Sequence, residues 1–141
     1  MPDTSKGFRP RYRLCGAPFT VQSLLFKDTE TLTKGDLVNL ETGEVDLAAT
    51  NDTAILGVVL ETKAGTDSTT RIDVIVDPDA VYGVYDANAR LAGEQLDITG
   101  TTGAMTVATD SNHDVVVVAE SSAAEETLVM ILPGEAAFLG L

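Results

Sequence analysis

The body of this chain reads as one β-rich unit written twice. Lys34-Gly35-Asp36-Leu37-Val38-Asn39-Leu40 leads to Thr42-Gly43, Ala49-Thr50-Asn51-Asp52 and Val58-Val59-Leu60-Glu61. About 58 residues later comes Ala92-Gly93-Glu94-Gln95-Leu96-Asp97-Ile98, then Thr99-Gly100, Ala108-Thr109-Asp110-Ser111 and Val117-Val118-Ala119-Glu120. The copies, about 33–84 and 91–141, close on Val81-Tyr82-Gly83-Val84 and Phe138-Leu139-Gly140-Leu141. A repeat of this length constrains the fold to two similar supersecondary units packed on each other. The alternative is chance similarity between two hairpin regions of shared composition. What recurs is turn glycine, acidic turn residue and β-branched core. No set of groups able to do chemistry recurs, which points to a scaffold or binding role and away from an enzyme.

The local pattern is short apolar runs broken by turn residues. Strands are expected from Phe19 to Phe26 and at Leu37–Leu40, Val45–Ala48, Ile55–Glu61, Arg71–Val76, Ala80–Tyr85, Gln95–Thr99, Ala104–Ala108, Val115–Ala119 and Thr127–Leu132. They are β-branched and separated by turns such as Thr42-Gly43, Asp77-Pro78 and Gly100–Gly103. About ten short strands with frequent turns imply an all-β barrel or sandwich. The nearly continuous apolar runs Ile55–Leu60 and Val115–Ala119 are expected to be central and buried on both faces. Ala87–Leu91 is the one plausible helical turn.

At 141 residues the chain reads as one domain, able to bury about two-thirds of its unfolded surface without a metal or disulfide. Cys15 is alone and reads as a small buried hydrophobe; the absence of a cationic start followed by an apolar run, or of a long apolar stretch, implies a soluble cytoplasmic product. Charge divides the chain sharply. Residues 1–27 carry Lys6, Arg9, Arg11, Arg13 and Lys27 against Asp3, whereas residues 28–141 carry four basic and twenty-one acidic groups. The acidic body disfavours direct contact with nucleic acid. Residues 1–17 mix Gly, Pro, Arg and Ser without period and read as an extended basic arm preceding a single β domain at 18–141. Lys6, Arg9, Arg11 and Arg13 are its candidate partner-binding residues, because arginine forks suit the carboxylates of a partner or neighbouring subunit. The plainer alternative is a solvated cationic tail.

Three chemical constellations are weaker than their structural alternatives. Lys63 in Glu61-Thr62-Lys63-Ala64-Gly65 is faintly like the lysine of a swinging-arm carrier domain, but the flanking residues are ordinary loop material. Asp77-Pro78-Asp79, with Asp73 or Asp86, lacks the glycine-punctuated alternation of a calcium loop and reads as a turn. His113-Asp114 puts the sole histidine beside an aspartate in sequence, whereas a hydrolytic triad needs groups converging from separate elements; it reads as a solvent-facing turn histidine. No catalytic, cofactor-binding or metal residues are assigned. The apolar tail Pro133–Leu141 is expected to pack on its own barrel or into a neighbouring subunit.

Thr33-Lys34-Gly35-Asp36-Leu37-Val38, Thr42-Gly43-Glu44-Val45, Ala48-Ala49, Leu56-Gly57-Val58-Val59-Leu60 and Gly93-Glu94-Gln95-Leu96 together resemble the small capsid decoration, or cement, proteins of tailed bacteriophages. The resemblance covers about residues 19–132 and rests on turns and core. It implies a compact β domain, usually a homotrimer, on the outer surface of the head, where it ties neighbouring major capsid proteins together. It also implies a virion location, no membrane and an arm reaching across subunits. A non-catalytic β-barrel carrier or accessory domain is the second reading, and an enzyme the third.

Overall fold

The computed structural model describes residues 7–26, 30–41, 43–48, 54–65, 70–109 and 113–132. It is all-β, with thirteen strands: β1 (Arg9–Arg13), β2 (Val21–Leu25), β3 (Thr31–Leu32), β4 (Leu37–Glu41), β5 (Glu44–Leu47), β6 (Ile55–Val58), β7 (Lys63–Ala64), β8 (Arg71–Ile75), β9 (Ala80–Asp86), β10 (Gln95–Thr99), β11 (Thr106–Ala108), β12 (Val115–Ala119) and β13 (Glu125–Ile131). Each of the ten expected strands has a counterpart. The strands form a six-stranded antiparallel sheet, β1-β9-β13-β12-β10-β11, a three-stranded sheet, β5-β4-β6, and the pairs β2-β8 and β3-β7. The arrangement is sandwich-like, without a closed barrel.

The same connectivity occurs twice. β4 pairs with β5 on one side and β6 on the other, as β10 pairs with β11 and β12. β6 passes to β8 through a Val59–Val74 bridge, and β12 pairs with β13 at Val117–Val129. β8 pairs with β2, and β13 with β9. Each half therefore orders its strands alike, β5-β4-β6-β8-β2 and β11-β10-β12-β13-β9. Each also curls so that its outermost strands approach: Phe26 bridges Val45, and Thr106 Oγ1 donates to Tyr85 O at 2.9 Å. In this order β9 occupies the place in the second half that β2 occupies in the first. The reading of Val81–Val84 as the close of the first copy is thus corrected, because its strand joins the ladder of β13. Its supposed counterpart, Phe138–Leu141, lies outside the described residues.

Register and turns agree to the residue. Leu37 faces Val58 and Val38 faces Gly57; 58 positions on, Gln95 faces Val116 and Leu96 faces Val115. Ahead of β4, Gly35 N donates to Val59 O at 3.2 Å, Val59 N to Asp36 O at 3.0 Å, Asp36 N to Thr33 O at 2.9 Å and Thr33 N to Asp36 Oδ2 at 2.8 Å. Ahead of β10, Gly93 N donates to Val117 O, Val117 N to Glu94 O, Glu94 N to Leu91 O and Leu91 N to Glu94 Oε2, at 2.8, 2.8, 3.2 and 3.1 Å. Gly35 and Gly93 hold φ values of 96° and 90°, which side-chain-bearing residues rarely adopt.

Two apolar cores follow from strand alternation. Phe26, Leu32, Val38, Val45, Leu56, Val59, Ile72 and Val74 fill the curl of the first half. The opposite faces of the same strands, Leu37, Ile55, Val58 and Ile75, join Tyr82, Val84, Leu96, Ile98, Met105, Val115, Val117, Val129 and Ile131 in the larger core. β6 is buried throughout, as its unbroken apolar run implied. β12 differs from that expectation: Val116 and Val118 are half-buried and Ala119 is exposed, and among the described residues no second layer covers its outer face.

Two further expectations are corrected. Residues 87–91 bend without forming a helical turn, because Asn88 N donates to Asp86 Oδ1 at 3.0 Å and Arg90 bridges Ser121. Such a local side-chain bond competes with helical pairing. Nor is the chain before Phe19 free of regular structure: β1 pairs with β9, and Phe8, 1% exposed, lies in the larger core. Gly7 N donates to Met105 O and Phe8 N to Gly35 O, both at 2.8 Å, so this segment ties the second half to the first.

Candidate partner-binding face

Strand β1 carries the basic residues singled out in the sequence and stands at the edge of the six-stranded sheet. An edge accommodates Pro10, which has no N–H to give to a ladder. Arg9 faces Gly83 and Pro10 faces Tyr82, but Tyr12 faces Val81, so Arg11 is the extra residue of a bulge. Bulging turns the Arg11 guanidinium onto the sheet. Its Nε donates to Glu126 Oε1 at 2.5 Å and its Nη2 to Glu126 Oε2, the two-pronged geometry that makes arginine a strong carboxylate partner. Arg9 Nη2 lies 3.8 Å from the same carboxylate.

Glu126 reaches β1 from β13, crossing β9 over Gly83. A Cβ at Gly83 would stand 1.5 Å from Glu126 Oε1, so the missing side chain is what lets the carboxylate cross. At the other end of β1, Arg13 Nε donates to Asp79 Oδ1 at 2.9 Å, Nη1 donates to Pro18 O at 3.2 Å, and Nη1 lies 3.4 Å from Asp77 Oδ1. Burial pushes the Asp79 carboxyl upward, but the hydrogen bonds from Arg13 and Cys15 outweigh it and hold the group below its ordinary range. The Arg13 guanidinium is held above its ordinary value, its hydrogen bond to Asp79 outweighing desolvation.

The structure therefore brings Arg9, Arg11 and Arg13 together on one strand and sets them against carboxylates of the same chain. Lys6 lies outside the described residues. Glu126, Asp77 and Asp79 complete the cluster, and no local signal ties them to β1: Glu126 is 115 positions from Arg11 and Asp79 is 66 from Arg13. Arg11 keeps 42% of its side chain exposed, against 24% for Arg9 and 21% for Arg13. Exposed Tyr12 and Leu14 border it.

The other singled-out residues scatter. Lys63 sits in β7, paired with β3, with Nζ 3.8 Å from Glu61 Oε1. Asp77 and Asp79 receive the Thr20 and Cys15 amides, at 2.6 and 3.3 Å, as well as Arg13. Asp86 holds Arg90 in a buried ion pair at 2.5 Å. Among the described residues no three His, Cys, Asp or Glu side chains are grouped to hold a metal ion. Cys15, expected to be buried, is an exposed thiol, because it follows β1 onto the surface. His113, expected to face solvent, is half-buried with its amide bonded to Asp97 Oδ1. Residues 133–141 lie outside the described residues. Among the described residues no helix is long and apolar enough to cross a membrane.

No family model matches the chain. No curated protein matches it either. Among solved structures, the fold is similar to the crystal structure of the head fiber gp8.5 N base in bacteriophage phi29, with a TM-score of 0.52 and 17% identity, over 82% of this chain and 98% of that one.

Proposed function

We propose that this chain is a non-catalytic structural component of a bacteriophage head, a β domain of two related halves that binds the outer surface of the capsid. The observation that carries this reading is the similarity to the phi29 head fiber base, which takes in nearly all of that chain and spans both halves of this one. The turn and core residues that resemble capsid decoration proteins support it independently. In the finer form of the reading, the chain contacts the major capsid protein, assembles as a homotrimer and cements neighbouring capsid subunits. A cement needs contact area and many copies, and an edge strand lined by arginine, tyrosine and leucine offers contact chemistry of that kind.

The basic segment acquires two tasks in this reading. Its arginines first hold β1 on the domain; Arg11, the most exposed of them, then meets carboxylates of the shell, with Lys6 nearby in sequence. A cryo-electron map of the virion encoding this chain tests the reading. Density for the β domain on the outside of the shell, three copies around each attachment point, is the expected result. Its absence from the head overturns the reading, and single copies overturn the trimer alone.

A further inference from the structure

In the second half, the outer edge of β9 is covered by β1. In the first half, β2 holds the equivalent position, and among the described residues no strand pairs with its outer edge. Exposure records the difference. Val21, Gln22 and Ser23 of β2 are exposed, Val21 by 43%, whereas Val81, Tyr82 and Gly83 of β9 are buried, Val81 completely. The far ends of both strands are occupied alike, β2 by β5 at Phe26–Val45 and β9 by β11 at Tyr85. The uncovered stretch is thus the one that, on β9, receives β1.

The side chains crossing the two edges also correspond, with opposite charge. Setting Val74 against Val129, each the partner of the equivalent valine Val59 or Val117, puts Arg71 where Glu126 stands. It also puts Ser23 where Gly83 stands, since Gln22 faces Val74 and Tyr82 faces Val129. Glu126 crosses Gly83 to bind the arginines of β1; Arg71 crosses to Ser23, giving Nη1 to its carbonyl at 3.1 Å. Among the described residues, Arg71 has no carboxylate at ion-pair distance. A guanidinium carries five N–H donors, so the Ser23 contact leaves most of them available. The exposed Asp73 carboxylate faces the same edge and limits how many acids a partner can bring.

We infer that the outer edge of β2 is a docking site for one strand of a partner protein, an extended segment running antiparallel to β2 and bearing a carboxylate that pairs with Arg71. Main-chain bonds to Val21–Ser23 supply the attachment, and Arg71 selects the sign of the charge. The inference rests on strand order, exposure and charge, and stands whether or not the chain belongs to a phage head.

The test uses two peptides spanning residues 7–14 of this chain, one native and one carrying Arg11→Glu, a single acid at the position whose arginine meets Glu126, the counterpart of Arg71. Each is titrated into the full-length protein and followed by amide chemical shifts. The glutamate peptide is expected to shift Val21–Leu25 and to bind at least tenfold tighter than the native peptide. Arg71→Glu is expected to invert that preference, and Arg71→Gln to abolish it. Shifts confined to Ala80–Gly83 would mean exchange with β1, and would overturn the inference. So would equal affinities of the two peptides for the unmodified protein, or no shift in β2 at millimolar peptide.

Discussion

The turns Thr33–Asp36 and Leu91–Glu94 are made from the same four hydrogen bonds, yet one is sealed and the other open. Asp36 is fully buried: its carboxylate takes the Thr33 amide, the Thr102 hydroxyl at 2.5 Å and the Gly103 amide at 2.9 Å. Its counterpart Glu94 is exposed and takes only the Leu91 amide among the described residues. The strands β2 and β9 show the reverse, the first half open at its edge and the second half covered. Local sequence thus sets the bonds within each unit, while neighbours decide what each bond is worth. Two segments create the asymmetry: Thr102–Gly103 seals the turn of the first half, with Phe8 N on Gly35 O beside it, and β1 covers the edge of the second.

The sharpest way to break that comparison is Phe8→Ala. The ring is 1% exposed at the junction, and its removal is expected to destabilise the protein by about 3–5 kcal/mol, with the loss shared by both halves. Urea unfolding monitored in each half checks this; a change under about 1 kcal/mol would show that the segment only decorates the sheet. Next comes the pair Asp36→Ala and Glu94→Ala. The buried carboxylate holds three donors, so its loss is expected to cost about 3 kcal/mol, against less than about 0.5 kcal/mol for the exposed one. Equal losses would mean that burial does not separate the two turns.

Gly83→Ala should be milder. The new methyl displaces Glu126, a flexible side chain, so about 1–2 kcal/mol is expected, together with release of Arg9 and Arg11. Ser23→Ala, at the equivalent place on β2, should be nearly neutral. Both follow from thermal unfolding and from arginine side-chain resonances. The smallest effect concerns Asp79. Its folded-state carboxyl lies below its ordinary range, so its stabilisation is present above about pH 4 and is lost as pH falls through the folded value. Comparing Asp79→Asn with the unmodified protein across a pH series should show a difference under about 1 kcal/mol at pH 7 that shrinks progressively as the pH is lowered below about 4.

Much of this fold was legible because turn chemistry and β-branched runs are local. The ten principal strands and the repeated Gly35-Asp36 and Gly93-Glu94 turns needed no knowledge of distant residues. What escaped depends on pairings far along the chain. Arg9–Arg13 carries no β-branched residue, and it becomes a strand through Phe8 in the core and through carboxylates at 77, 79 and 126. β3 and β7 are two residues each, too short for any period to register. The similar endings Val81–Val84 and Phe138–Leu141 said nothing about which ladder β9 joins. Of the site, the three arginines were visible, whereas the carboxylates that receive them and the charge-inverted Arg71 emerge only when strands from separate parts of the chain lie side by side.

The docking of β1 also sets an order of events on the ribosome. This strand is made well before its partners, because β9 follows much later and Glu126 comes 115 residues after Arg11. By the time Ile75 is made, the five strands of the first half are available to pair, while Phe8 and the outward faces of Leu37, Ile55 and Val58 still await the second half. The nascent chain therefore passes through a stage with apolar surface uncovered and β1 unengaged. Closure depends on contacts of high sequence separation, which places folding towards the slow, millisecond-to-second end for small domains.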